Sequence, residues 1–449
     1  MFPHARRKRL LAITAIASAA ALTAACGGGD ANPSPAPGDG GDTAGAIAGD
    51  LTIMTWRTDL LEDGTLDGYA AEFKKLYPDV NIEFQGFTNY EGEITTLMST
   101  EDYGDVLAIP GAPLTPDKFA DYFEPLGTIE EIEATYRFVR DKAYDGQAYG
   151  IPVVGNTQGF VYNKEVWAAA GNTDYATTSA DFVAALQNIK DNTTAIPLYT
   201  NYFADWPITA WEAYRGSISN DPNYVNSLLE TDAPWAEGTD HNVIDTLIWD
   251  IVSAGLIEED PTTTDWESSK GMIARGEIGT MPLGSWAISQ MQDAAEAEGL
   301  SRDVIGYMPF PAQADGVFHA SVGGDYNLGI SVYSDAKAAA WAWIQWFMND
   351  SGFADAQGGI SPLKDGGFPD NLADFDAAGV ELVEQLPAEP GNEGKLEAID
   401  SSAEIGLGQA TYRKRIIDAA RGQSGETLQA IFDDLNSRWA TARAEVMGG

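Results

Sequence analysis

The chain after residue 50 alternates strand-like apolar runs with a helix-like pattern. Three segments have strand patterns: 51–56, then 80–84 with alternating apolar and polar residues, and 105–109, which is predicted to be a buried parallel strand. Between the first two, apolar side chains recur at helical spacing: Tyr69, Phe73, Leu76 and Tyr77. Pro78 ends that helix. This alternation predicts a doubly wound α/β lobe, in which ligands bind beyond the carboxyl ends of the parallel strands.

The later part of the chain is richer in helical patterns. Phe182 and Leu186 belong to one predicted helix with Ser179 as its N-terminal cap, and a short strand is predicted at 196–199. A long apolar stripe near the end predicts a packed C-terminal helix: Leu428, Ile431, Leu435, Trp439, Ala442 and Val446. These patterns predict a second lobe with its own core.

The stretch that begins at Tyr149 predicts a connection between the two lobes. Two short apolar runs have the pattern of strands, and small and amide residues interrupt them: the runs are 151–154 and 160–162, and the interruption is 155–158. Such an interruption suits a chain that leaves one lobe and enters another, with polar side chains at the crossing. Asn156 and Gln158 are therefore candidates for ligand contact, because buried amides need hydrogen-bonding partners.

The N-terminus has the pattern of an export signal. Basic residues at 6–9 precede an apolar stretch at 10–22, which is shorter than the roughly 20 residues of a membrane-spanning helix. The sole cysteine, Cys26, follows small residues and resembles the lipid-acceptor cysteine of bacterial lipoproteins. We assign 1–25 to the signal peptide and 26–49, rich in Gly, Pro and Asp, to a flexible tether. A plain secretory signal that leaves a free cysteine is the alternative.

Composition narrows the chemistry open to the chain. The 449 residues carry a net charge of −42, which disfavours binding to nucleic acid and to anionic lipid headgroups. The same acidity fits either the solvated surface of an exported protein or the attraction of a cationic ligand. No cysteine follows residue 26, which excludes disulfides and thiolate metal sites beyond that point. After His4 only His241 and His319 remain, and they lie far apart in sequence. Acid–base catalysis or zinc binding by histidines therefore has few candidate residues.

Three sequence blocks in order resemble those of the extracellular solute-binding proteins that feed carbohydrate importers. The blocks are 149–171 with Tyr-Gly-Ile-Pro and Tyr-Asn-Lys, 276–286 ending in Gly-Ser-Trp, and 322–331 with a Gly-Gly pair. The resemblance covers residues 50–447 and implies an α/β fold of the two-lobed, class II periplasmic-binding type. Each lobe would be a doubly wound sheet flanked by helices, and several strands would form the hinge.

The resemblance also implies where the chain changes lobes. The expected segments are 50–157 and 326–361 for lobe 1, with 158–325 and 362–447 for lobe 2. The expected crossings are 156–158, 324–326 and 359–361. Glycines at the crossings would give the backbone the conformational freedom that closure of the lobes requires.

A sugar presents apolar C–H faces and hydroxyl groups, so its site needs flat aromatic rings beside Asp, Asn, Gln or Arg side chains. Residues of these types, at loops where the family binds its ligands, are the candidates for ligand contact: Trp56, Arg57, Asp59, Tyr90, Asp105, Asn156, Gln158, Trp206, Trp211, Trp286, Asp325 and Tyr326. Each tryptophan could instead be an edge of the core, and Asp105 could be a structural carboxylate. Tryptophans in helical patterns are expected in the core: Trp341, Trp343, Trp346 and Trp439.

The resemblance implies a lipid-anchored receptor on the extracytoplasmic face of the bacterial cell membrane. As a monomer, it would deliver a mono- or oligosaccharide to the permease subunits of an ABC importer. We expect no catalytic residue, cofactor, metal site or nucleic-acid partner. Two alternatives stay open. One is a binding protein for another solute such as a polyamine, and the other is an anchored glycosidase, which needs two suitably spaced carboxylates.

If Cys26 carries the lipid, Cys26→Ala should shift the protein from the membrane fraction into the medium, because the acylated thiol is lost. Cell fractionation and immunoblotting measure the shift. Thr23→Ala, which leaves the thiol in place, is the control. A Cys26→Ala protein that stays with the membrane would contradict lipidation at this residue.

Overall fold

The computed structural model describes residues 47–111 and 114–448. The predicted signal peptide, Cys26 and most of the predicted tether lie outside these residues. Among the described residues, no helix combines the length and apolar character needed to cross a bilayer.

The strands are β1 Gly49–Thr55, β2 Val80–Gly86, β3 Val106–Ala108, β4 Gly127–Thr128, β5 Ala143–Tyr144, β6 Gln147–Ala148, β7 Ile151–Asn163, β8 Thr280–Gly284, β9 Ile305–Met308, β10 Gln313–Ala314, β11 Val317–Ile330 and β12 Glu381–Glu384. The α-helices are α1 Thr58–Glu62, α2 Thr65–Leu76, α3 Tyr90–Leu97, α4 Phe119–Tyr122, α5 Ile129–Glu133, α6 Lys164–Ala169, α7 Ser179–Asn192, α8 Trp206–Thr209, α9 Tyr224–Glu230, α10 Asp240–Ser253, α11 Trp266–Ala274, α12 Trp286–Ala297, α13 Lys337–Asn349, α14 Phe353–Ala356, α15 Ala373–Ala377, α16 Lys395–Ala403, α17 Thr411–Ala420 and α18 Leu428–Gly448. Short 3-10 helices are Pro116–Lys118, Val139–Lys142, Tyr202–Ala204, Ala210–Tyr214, Pro261–Thr263, Arg302–Val304 and Asp370–Leu372.

The first strands form the predicted parallel arrangement. β1 pairs in parallel with β2 along its whole length and with β3 through Ile53 and Val106. Helices α1 and α2 connect β1 to β2, and α3 connects β2 to β3, so the strand–helix alternation predicted for this part is confirmed. The main sheet continues in the order β2-β1-β3-β11-β7-β8.

Strand β7 joins the two parts of this sheet. It pairs antiparallel with β11 from Ile151 to Thr157, and then with β8 and β9 from Gln158 to Asn163. The predicted interruption at 155–158 is wrong, because the backbone stays extended while it exchanges one set of partners for another. Small residues there allow close packing and do not make a turn.

Three glycines at the crossings are required by close approach. A Cβ at Gly155 would lie 2.5 Å from the Phe138 ring, and one at Gly324 would lie 2.7 Å from Pro152. A Cβ at Gly359 would overlap the Val154 side chain. None of these glycines has a positive φ. The structure therefore gives them a steric role, where the sequence had predicted conformational freedom.

Separate hydrophobic cores flank the crossing. The first core draws on residues between 51 and 154 and between 328 and 354. The second and third cores are built mostly from residues after 160. Trp343, Trp346 and Trp439 are buried as predicted, and Trp341 packs half-buried against the first core.

Some local predictions were wrong. Thr178 caps α7 by accepting a hydrogen bond from the Asp181 amide, whereas Ser179 is already the first helical residue. Residues 196–199 make only isolated bridges and no strand. The C-terminal region contributes β12, which pairs in parallel with β11 although the sequence predicted only helices there.

A buried cluster of charges ties α10 and α17 to the 3-10 helix Ala210–Tyr214. The fully buried Arg413 donates from Nη2 to Glu212 Oε2 at 2.7 Å and from Nε to Asp245 Oδ1 at 3.0 Å. Trp235 Nε1 donates to Asp245 Oδ2 at 2.7 Å, and His241 Nε2 lies 3.1 Å from Glu212 Oε1. Arg413 thus pairs with both carboxylates, and Glu212 accepts in addition from Arg215 Nη1 at 2.7 Å.

Replacing Arg413 by Met should lower the free energy of unfolding by about 3–5 kcal/mol, because the buried Asp245 carboxylate would lose its paired arginine and Glu212 would keep only Arg215. Arg415→Met is the matched control on the same helix. Its ion pairs with Glu426 and Asp434 are partly exposed, so it should cost no more than about 1 kcal/mol. Urea unfolding followed by circular dichroism measures both. Equal losses in the two variants would contradict a special role for the buried cluster.

Candidate functional site

A cavity of about 740 Å³ opens where β7 and β11 cross. We call it the main cavity. Its lining comes from β7, β11, α12 and the segments around α1 and α14: Trp56, Arg57, Asp59, Val153, Val154, Asn156, Trp286, Ser289, Gln290, Asp293, Asp325, Tyr326, Phe353, Ala356 and Gln357. The volume lies within the range of small-molecule sites, about 300–1,000 Å³.

Two aromatic rings stack in this cavity. Trp56 directly follows β1, and its ring lies parallel to that of Tyr326, with centroids 3.8 Å apart and 5° between the planes. Tyr326 has a φ of +50° in the middle of β11, a conformation that costs a non-glycine residue about 1–3 kcal/mol. The Tyr90 ring packs edge-on against both rings, and its centroid lies 5.9 Å from that of Trp56 and 6.2 Å from that of Tyr326.

Tyr90 is itself only 4% exposed and is held in place by the backbone. Its hydroxyl accepts a hydrogen bond from the Ala108 amide at 2.7 Å and donates to the Ala108 carbonyl at 3.1 Å. Burial raises the pKa of this phenol well above its usual value. Tyr90 therefore positions the aromatic pair and does not line the main cavity.

A charged group lies beside the aromatic pair. Arg57 donates two hydrogen bonds to Asp59, from Nε at 2.8 Å and from Nη2 at 2.6 Å, and a third from Nη1 to the Gln357 amide oxygen. These bonds from Arg57 lower the pKa of the Asp59 carboxyl. The bidentate geometry orients the guanidinium, since both nitrogens are held in one plane.

Polar side chains also meet at the strand crossing. Asn156 on β7 donates from Nδ2 to Asp325 Oδ2 on β11 at 3.1 Å. Ser285 donates to Asn156 Oδ1 at 3.3 Å and accepts from the Thr157 amide at 3.1 Å. Burial raises the pKa of Asp325. Ser285 is the residue before α12, but its hydroxyl makes no capping bond to that helix and instead joins the crossing strands.

The sequence is similar to known proteins over most of its length. A family model for bacterial extracellular solute-binding proteins matches residues 57–352. The chain belongs to this family. Its location is therefore extracytoplasmic, and its fold is the predicted two-lobed α/β type.

Relatives with solved structures cover nearly all of the chain. The BlMnBP1 binding protein of an ABC transporter from Bifidobacterium animalis subsp. lactis, solved with mannobiose, is 36% identical, with a TM-score of 0.77 over 89% of this chain and 95% of that one. BlMnBP2 from the same organism, a manno-oligosaccharide-specific protein solved with mannotriose, is 33% identical, with a TM-score of 0.77 and the same coverage. The diacetylchitobiose-binding protein DasA of Streptomyces coelicolor is 25% identical over 80% of this chain and 83% of that protein.

The main cavity of this solute-binding protein gathers most of the predicted contact residues: Trp56, Arg57, Asp59, Asn156, Trp286, Asp325 and Tyr326. Trp206 does not line it but belongs to a tryptophan cluster at its edge. The Trp206 ring lies 5.5 Å from Trp286 and 4.8 Å from Trp266, and Trp206 is 38% exposed.

Three predicted residues lie elsewhere. Asp105 precedes β3, at the strand end away from its carboxyl terminus, and accepts hydrogen bonds from the Thr52 amide at 2.8 Å and the Ser334 hydroxyl. Trp211 is 3% exposed and packs in the second core. Gln158 pairs across β8, outside the cavity lining, and its Oε1 has no hydrogen-bond partner among the described residues. These three residues therefore lie outside the lining of the main cavity.

The sequence analysis did not predict the residues that α12 beyond Trp286 and α14 contribute to the lining of the main cavity. Trp286, Ser289, Gln290 and Asp293 follow the spacing of one helical face, and Phe353, Ala356 and Gln357 repeat that spacing. Extending the helix period from Trp286 would have found the first set. Nothing in the sequence shows that α14 lies beside the same cavity as α12. Among the described residues, no group of three or more His, Cys, Asp or Glu side chains is placed to hold a metal ion.

Proposed function

We propose that this protein is an extracytoplasmic receptor that binds an oligosaccharide in the main cavity and delivers it to an ABC importer. The observation that carries the proposal is the set of aromatic rings and hydrogen-bonding groups in one cavity at the strand crossing. Trp56 packs against the first core and Trp286 against the third, so aromatic faces come from both sides of the crossing. Relatives at 33–36% identity that were solved with mannobiose or mannotriose favour a manno-oligosaccharide.

The carboxylates of the cavity favour a neutral ligand over a polyamine. Asp59 is paired with Arg57, Asp325 accepts from Asn156, and Asp293 is paired with Arg302. A polyamine would have to displace Arg57 from Asp59 and Arg302 from Asp293 before those carboxylates could serve as its counter-charges. A saccharide hydroxyl both donates and accepts, so it can join such pairs without displacing them.

We further propose that the lobes are 50–157 with 326–361 and 158–325 with 362–447. The partner exchange of β7 after Thr157 supports these bounds, as does the bridge between Gly155 and Ile360 at the proposed third crossing. Closure of the lobes around the saccharide would be the capture step. Ligand can drive closure only as far as it binds the closed state more tightly. Anchoring through Cys26 and a monomeric state complete the proposal.

Isothermal titration calorimetry with mannobiose, mannotriose, maltose and spermidine tests the ligand class. We expect binding of the manno-oligosaccharides and none of spermidine. Recovery of the sugar unchanged after incubation is expected of a receptor. Hydrolysis of the sugar would instead support the glycosidase, and binding of spermidine alone would support the polyamine alternative.

Trp286→Ala should weaken saccharide binding by about 1–3 kcal/mol, because the variant loses an apolar face that stacks on a sugar ring. The matched control is Trp249→Ala, since Trp249 is also half-buried but packs on the second core, away from the cavity. Calorimetry gives the dissociation constants, and circular dichroism shows whether each variant is folded. An unchanged dissociation constant for a folded Trp286→Ala protein would remove Trp286 from the site.

Saturating mannotriose should reduce the radius of gyration in small-angle X-ray scattering, because closure brings the lobes together around the ligand. Spermidine at the same concentration is the control for solution effects. Identical scattering curves with and without a bound saccharide would contradict closure as the capture step.

A further inference from the structure

A short loop after Thr200 leads directly to the tryptophan cluster at the edge of the main cavity. We call residues 201–205 the Trp206 loop. It contains the 3-10 helix Tyr202–Ala204 and ends where Trp206 begins α8. The Trp206 ring lies 5.5 Å from that of Trp286, which lines the main cavity. The conformation of this loop therefore sets the position of the Trp206 ring relative to the cavity.

The backbone of the Trp206 loop is strained. Asn201 has a φ of +53°, and Asp205 has a φ of +62° with a ψ of −59°. The angles of Asp205 are close to those of the rare, strained form of the γ-turn. Such a backbone persists only where the surrounding structure holds it. The Asp205 carboxylate makes no capping bond to α8, so it does not hold the loop through that helix.

Helix α17 packs against the Trp206 loop and holds it. Lys414 Nζ donates a hydrogen bond to Asp205 Oδ1 and lies 4.2 Å from the centroid of the Tyr202 ring. The Tyr202 hydroxyl donates to Asp418 Oδ2 at 2.9 Å, one turn further along α17. Burial and the Asp418 carboxylate raise the pKa of Tyr202 to about 12, so the phenol keeps its proton at neutral pH. Lys414 thus joins α17 to the loop by an ion pair and a cation–π contact.

Lys414 is itself well fixed. Its side chain is 20% exposed, whereas that of its partner Asp205 is 66% exposed. It directly follows Arg413, whose buried ion pairs with Glu212 and Asp245 anchor α17. The lysine therefore belongs to the rigid part of the molecule, and the exposed loop is the part that it holds.

The other side-chain contacts of this segment act on residues before Asp205. The Thr200 amide donates to Glu258 Oε2 at 2.9 Å, and the Phe203 amide donates to the Thr264 hydroxyl at 2.8 Å. Asp205, the residue next to Trp206, is held through its side chain by Lys414.

We propose that Lys414 is a positioning residue for saccharide binding, which holds Asp205 in its strained conformation and thereby keeps the Trp206 ring beside Trp286. Lys414 does not line the main cavity, so it acts through the loop and not on the ligand. An aromatic face that is in place before the ligand arrives lowers the entropy cost of binding. This role rests on the proposed function, because the position of Trp206 affects affinity only if a saccharide occupies the main cavity.

Hydrogen exchange of the unliganded protein tests the holding contact. Lys414→Met should speed exchange in peptides that span 199–209 by about three- to tenfold, because Asp205 and Tyr202 lose their cation. Arg415→Met is the matched control on the same helix and should leave these peptides unchanged, since Arg415 pairs with Glu426 and Asp434. Mass spectrometry measures the exchange. Unchanged exchange in the Lys414→Met protein would overturn the proposal.

Calorimetry with mannotriose tests the consequence for binding. Lys414→Met should weaken binding by about three- to tenfold, and so should Asp205→Asn, which removes the charge while asparagine still tolerates a positive φ. In a Trp206→Ala background, Lys414→Met should cause no further loss, because no ring remains to be positioned. Equal losses in the two backgrounds would overturn the proposal, since Lys414 would then affect binding by another route.

The outcomes separate the positioning role from the proposed function. If the wild-type protein binds no saccharide, the proposed function fails and the positioning role fails with it. If the wild-type protein binds mannotriose and either Lys414→Met or Trp206→Ala keeps the wild-type dissociation constant, the positioning role is wrong while the proposed function stands.

Discussion

The antiparallel pairing of β7 with β11 is the contact on which the rest of the molecule depends. β7 continues beyond this ladder into pairing with β8 and β9, and β11 continues into pairing with β3. Each strand therefore belongs to the sheets on both sides of the crossing. The same ladder brings Asn156 and Asp325 to one cavity, and Tyr326, whose positive φ departs from regular strand geometry, lines that cavity as well. Fold and site thus share one set of backbone hydrogen bonds.

Close packing at this crossing limits how the molecule can bend. Gly155, Gly324 and Gly359 leave no room for a Cβ, so neighbouring segments lie in direct contact there. A side chain added at any of these positions would push the neighbouring segments apart. Strain is stored nearby at Tyr326, whose positive φ is held by the flanking ladder and by its stack on Trp56. Such strain is typical of positions that contact ligands.

The strong acidity of the chain contrasts with the chemistry inside the main cavity. The net charge is −42, yet the cavity carboxylates already have donors from Arg57, Asn156 and Arg302. The charges of Asp59 and Asp293 are therefore balanced locally by arginines, while Asp325 is held by the neutral Asn156 amide. The polar groups are oriented before any ligand arrives, which lowers the entropy cost of binding. This preorganisation is what a receptor for neutral, hydroxyl-rich solutes requires.

The sequence by itself determined the elements with regular patterns. The first strands, α2 and the C-terminal helix follow from local periodicity, and the aromatic and amide residues of the cavity follow from their place at strand ends and crossings. Only the tertiary structure decided which candidates meet. Trp211 and Trp286 have similar loop contexts in sequence, yet one packs in the core and the other lines the cavity. The continuous path of β7, the pairing of β12 and the approach of α14 also depend on partners distant in sequence. Local patterns carry no information about such partners, because the contacts are made only when the whole chain packs.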